Sequence, residues 1–158
     1  MNNLEGTVAP PFSLPGSDRQ TYAMAGLRGK IVVLYFYPKD DTPGCTKEAC
    51  GFRDLNAEIA KTGAVVLGVS RDGLDSHQQF LAKYKLPFVL LTDADGAVHR
   101  AYGAWGKKVT YGQETEGVIR STVIIGADGR VRKHWPAVKD AGAHPVEVLA
   151  ELKQIMNL

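Results

Sequence analysis

The chain carries two cysteines, Cys45 and Cys50, five residues apart just after a run that reads as a buried strand. That run, Ile31-Val32-Val33-Leu34-Tyr35-Phe36-Tyr37, ends at Pro38. After the polar loop Lys39-Asp40-Asp41, a helical pattern is predicted from Pro43 to Lys61, with Thr42 as N-cap and Pro43 as first helical residue. Cys45 therefore falls in a first helical turn beyond the C-terminal end of a strand, where open α/β sheets bind ligands. The unpaired N–H groups and partial positive charge of such a turn stabilise a thiolate. An ordinary thiol is only about 3% ionised at pH 7, and making it mostly thiolate takes roughly 3.4 kcal/mol. A helix terminus supplies about 0.3–2 kcal/mol, so a further cation is expected, and Arg120 is the candidate.

The spacing of the pair carries its own information. Five residues along an ideal helix put Cα atoms about 8.7 Å apart. A disulfide needs roughly 4.4–6.8 Å. Cys45 and Cys50 cannot bridge within one intact helix but can do so once it unwinds, which is the behaviour of a catalytic couple. Each feature also has a plain structural reading: a buried inert thiol, a strand-terminating Pro38, a capping Thr42, a solvated Arg120 at a strand edge. Cys-x4-Cys is not a zinc knuckle spacing, and His77, His99, His134 and His144 show no paired spacing, so no metal is expected and the histidines read as surface or core residues. Cys-x-x-Cys, the thioredoxin-type redox motif, does not occur.

The elements that must position these residues follow from the hydrophobic pattern. Residues 6–30 read as loops with a small hairpin, Phe12–Leu14 against Thr21–Ala23. Ala64–Ser70 is a second buried strand, 74–85 a helix, Phe88–Leu91 a short strand, and Ala97 to about Tyr102 a short helix. Thr122–Ile125 and Val131–Trp135 flank Ala127-Asp128-Gly129, a hairpin signal, and a last helix covers about 144–156. The order β-α-β-α-β, hairpin, α predicts an α/β fold of thioredoxin-like type, a central mixed β-sheet flanked by helices. With no repeat or linker, residues 1–158 read as one domain.

Composition narrows the class. A formal net charge of +2 without long basic clusters argues against nucleic acid and anionic membranes as partners. No stretch approaches the roughly 18 apolar residues of a membrane span, and the first residues lack the pattern of a secretory signal. A cytoplasmic, reducing compartment is expected, where paired cysteines are catalytic or metal-binding more often than structural.

At residues 38–50 the sequence resembles the peroxiredoxins, and specifically the bacterioferritin comigratory protein/PrxQ group. The signature Pro-x-x-x-Thr-x-x-Cys stands complete as Pro38 to Cys45; Cys50, Arg120 before Ser121-Thr122-Val123, and Trp105-Gly106-Lys107 also match the group. The similarity runs from about Gly6 to the C-terminus. The resemblance implies a thiol-dependent peroxidase of atypical two-cysteine type acting on hydrogen peroxide and organic hydroperoxides. Cys45 would be the peroxidatic nucleophile and Cys50 the resolving cysteine, forming an intramolecular disulfide. Thr42 and the N–H groups of Gly44 and Cys45 would bind the peroxide, Arg120 would hold the thiolate charged, and Pro38 would shield it. It further implies a monomer without cofactor, recycled by thioredoxin or a similar dithiol reductant. A redox sensor using the same couple, and a structural domain with incidental thiols, are the alternatives.

Overall fold

The apolar runs form the centre of a five-stranded sheet. The structure is a computed structural model that describes residues 3–157. After a hairpin of β1 (Ser13–Pro15) and β2 (Thr21–Ala23) and a 3-10 turn at Met24–Leu27 come β3 (Ile31–Phe36), α1 (Pro43–Lys61), β4 (Ala64–Ser70), α2 (Leu74–Tyr84), β5 (Val89–Thr92) and α3 (Ala97–Ala101). A second hairpin, β6 (Trp105–Thr110) and β7 (Gln113–Val118), precedes β8 (Ser121–Ile125), β9 (Val131–Trp135) and α4 (His144–Asn157). The sheet order is β5-β4-β3-β8-β9. β3 pairs in parallel with β4 and β4 with β5, as helical crossovers require. β8 is antiparallel to both β3 and β9. The expected mixed sheet flanked by helices is therefore present.

Both faces of the sheet are buried, which is why its central strands are apolar without alternation. Val32, Leu34 and Phe36 face one core with Leu67, Val69, Val123 and Ile125, covered by the N-terminal segment and Tyr102. Val33 and Tyr35 face the other with Val66, Leu90 and Ile124, beneath Phe52 and Ile59 of α1, Phe80 of α2 and Val148 and Leu152 of α4. α1 and α4 pack so closely that a Cβ on Gly51 would lie 2.7 Å from Pro145 Cγ. A rigid proline ring cannot yield that space, so α4 is seated against α1 one residue past Cys50. No helix among the described residues is long and apolar enough to cross a membrane.

The hairpin β6–β7 is absent from the sequence expectation. Most of its described residues are half-buried or exposed on both faces, so no apolar alternation marks it. Its local signal is the turn: Tyr111 at φ 54 and Gly112 at φ 77 give the two left-handed residues of a type I′ connection.

Candidate functional site

Sheet direction brings the site together. β3 runs toward the loop that precedes α1, and because β8 is antiparallel to it, the beginning of β8 lies beside the end of β3, with Phe36 paired to Ser121. Arg120, one residue earlier, thereby meets Cys45 across 75 positions of sequence. Thr42 has an extended backbone, as a residue before proline must, and Pro43 starts the helix. Cys45 is 1% exposed, and Cys50 on the same unbroken helix is half-buried. Both thiols are free. The expectation that the pair is separate in an intact helix holds.

Arg120 makes a fork. Nη2 donates to Cys45 Sγ at 3.3 Å, and Nη1 donates to Glu48 Oε1 at 2.6 Å. Gly44 lies beneath the guanidinium, where a Cβ would come within 3.1 Å of Nη2. Burial works against the Arg120 charge, but Glu48, Cys45 and the hydrogen bonds to both outweigh it and hold the guanidinium above its ordinary value. Arg120 is thus a half-buried, paired cation rather than a solvated edge charge.

The Thr42 expectation needs one correction. Thr42 occupies the N-cap position, but its hydroxyl makes no cap bond. It instead donates to the Lys39 carbonyl at 2.8 Å, turned back into the loop. The Thr46 N–H is taken by the Thr42 carbonyl at 2.8 Å, as the helix itself provides. The hydroxyl's lone pairs therefore remain available to an incoming O–H. Pro38 follows Tyr37 at the strand's end and is half-buried. The four histidines are all core residues.

Glu48 is the residue that the sequence expectation omits. A glutamate beside Lys47 reads as helix surface, yet position 48 lies three beyond Cys45, on the inward stripe shared with Ala49 and Phe52. The side chain is fully buried, and its Oε2 has no partner among the described residues. Burial pushes the carboxyl up to about 7, against the opposing pull of Arg120. An acid held above its ordinary 4.5 in the fold binds a proton that the unfolded chain releases. Stability from this group is greatest at low pH and declines as pH rises from about 4.5 to about 7. Denaturant titrations at several pH values should show wild type losing stability relative to Glu48→Gln across that range.

Chemically, the arrangement is a buried thiol whose sulfur accepts a hydrogen bond from a fixed cation, at a helix start with unpaired N–H groups. Such a site stabilises negative charge that develops next to the sulfur.

Residues 6–134 match the model of the AhpC/TSA family. The Bacillus subtilis peroxiredoxin Bcp is 43% identical over 150 residues, which span 95% of this chain and 95% of that protein. Xanthomonas campestris peroxiredoxin Q superposes with a TM-score of 0.86 at 41% identity, covering 92% of this chain and 91% of its own. The Xanthomonas campestris bacterioferritin comigratory protein, studied for its alkyl peroxide reduction activity, gives 0.86 at 40% identity, with 92% of each chain covered.

Proposed function

Since the chain belongs to the AhpC/TSA family and is a peroxiredoxin, a thiol peroxidase, we propose that Cys45 is its peroxidatic nucleophile and Cys50 its resolving cysteine. The contact between Arg120 Nη2 and Cys45 Sγ at 3.3 Å carries this reading, because it pairs a permanent cation with the sulfur.

The Cys45 thiolate attacks one peroxide oxygen and the O–O bond breaks. Cys45 becomes a sulfenic acid, and the departing oxygen leaves as water or an alcohol after taking a proton. Arg120 and the N–H groups of Gly44 and Cys45 offset the negative charge that grows on that oxygen, and the Thr42 hydroxyl accepts the peroxide's O–H. Pro38 closes the loop side of the sulfur. The first turns of α1 then unwind, the Cys50 sulfur attacks Cys45, and water leaves as the disulfide forms. A dithiol protein, thioredoxin or one like it, returns both thiols through a mixed disulfide. The substrates are hydrogen peroxide and organic hydroperoxides, the enzyme works as a monomer in the cytoplasm, and none of these steps calls for a cofactor.

Mass spectrometry after rapid alkylation tests the reading. Peroxide should convert reduced wild-type protein to an internal disulfide. In Cys50→Ser it should add one oxygen to Cys45 at the wild-type rate and leave the sulfenic acid standing, with turnover on a thioredoxin system strongly reduced. Unchanged steady-state turnover in that variant would remove Cys50 from the resolving role. A Cys45 that peroxide leaves untouched would end the proposal.

A further inference from the structure

The loop between β3 and α1 is fastened to α2 by two acids that the chemistry above does not use. Asp40 is buried, and its carboxylate collects three side chains: Tyr37 Oη donates to Oδ1 at 2.5 Å, Ser76 Oγ donates to Oδ2 at 2.8 Å, and His77 Nδ1 stands 2.8 Å from Oδ2. The Asp40 N–H donates to Asp72 Oδ2 at 2.8 Å. Asp41, next in line, takes the left-handed conformation at φ 58, and its carboxylate receives Lys83 Nζ and Tyr84 Oη, each at 2.8 Å. Ser76 and His77 belong to the first turn of α2, and Lys83 and Tyr84 to its last. The helix therefore splints the loop along its length.

His77 is the buried end of this splint. Its ring is fully enclosed and has acceptors on both sides, Asp40 Oδ2 at Nδ1 and the Leu91 carbonyl at Nε2, the latter 3.0 Å away. A carbonyl only accepts, so Nε2 carries a hydrogen. Nδ1 and Asp40 then share the remaining proton in a bond shielded from water, where such bonds are strongest. The ring thus ties Asp40 to the backbone of β5, the edge strand paired with β4. The loop so held includes Pro38 and the Lys39 carbonyl that orients the Thr42 hydroxyl, and it leads directly into the helical turn of Cys45.

We propose that His77 is a positioning residue for the peroxide reaction: acting through Asp40, it keeps loop 38–42, and with it Thr42 and the first turn of α1, in the arrangement that meets the peroxide. The inference rests on the Cys45–Cys50 reading above. A loosened loop populates that arrangement less while leaving the start of α1 freer to unwind, so the two chemical steps should respond differently.

Rapid-quench experiments on reduced protein, with alkylation and mass spectrometry, resolve sulfenic acid formation from disulfide formation. In His77→Gln the amide reaches the Leu91 carbonyl but not Asp40. The first step should slow between about tenfold and 10²-fold, the scale of a misplacement near 1 Å, with disulfide formation unchanged or faster. His77→Asn puts an amide nitrogen where Nδ1 stood and should restore most of the first-step rate. Ser76→Ala removes a single donor to Asp40 from a half-buried site, and should slow the first step less, in the same direction, whether or not the His77 variants fold. Wild-type first-step rates in His77→Gln and Ser76→Ala, or equal slowing of both steps, would overturn the proposal. A wild-type Cys45 that is not oxidised at all would instead overturn the parent reading, and this inference with it.

Discussion

Cys45→Ser is expected to bring peroxide turnover down to the uncatalysed background, a loss of about 10³-fold or more. The reason is chemical before it is structural. The reaction needs an atom that can be oxidised by two electrons and then reduced by a thiol, and a serine oxygen cannot. Nor would the site ionise a hydroxyl, because among the described residues no histidine hydrogen-bonds to Cys45, and the Glu48 carboxyl has Oε1 engaged by Arg120 at 2.6 Å. The substitution is nearly isosteric, so the fold should persist. Peroxide consumption with a thioredoxin recycling system, alongside circular dichroism, makes the check. Surviving turnover in a folded variant would move the nucleophile elsewhere.

Arg120→Lys should rank second, with kcat/KM for peroxide reduced by about 10²-fold, or roughly 2.7 kcal/mol of barrier, the usual cost of one fixed donor to developing charge. The charge is retained, so the loss would report geometry. Arg120 reaches the sulfur and Glu48 with two nitrogens of one rigid plane. A lysine ammonium is a single, strongly hydrated point that cannot reproduce that fork. Removing the charge altogether, as in Arg120→Met, would leave the buried Glu48 carboxyl without its cation and drive it further toward the protonated form, changing stability along with the site. That variant would confound stability with rate, which is why the lysine is the informative one. Stopped-flow oxidation across peroxide concentrations provides the measurement, and a rate within a factor of about two of wild type would remove the guanidinium from the reaction step.

The parts of this protein that sequence discloses are those whose physics is local. β3 and β4 are legible because residues enclosed on both faces must be apolar throughout. The start of α1 is legible because Thr42-Pro43 can be little else, and the separation of Cys45 from Cys50 follows from helix dimensions alone. Glu48, Asp40 and His77 are illegible for the opposite reason. Each is a polar residue of ordinary appearance whose partner comes from another element: Arg120 for Glu48, and α2 for Asp40. Nothing in the local pattern distinguishes such a side chain from a solvated one. The Thr42 hydroxyl fails in a subtler way, since its place was readable and its partner was not. The β6–β7 hairpin hides because little of it is buried.

The antiparallel course of β8 has a consequence for biosynthesis. The guanidinium that completes the site arrives from position 120, on a strand that can join β3 only after everything between them has been made. A growing chain that ends short of that point has the helix and the thiol but not the cation. Its sulfur has the helix start but lacks the charged donor that the finished site sets 3.3 Å away. On the proposed assignment of Cys45, full reactivity therefore waits until Arg120 has been made and β8 has joined β3.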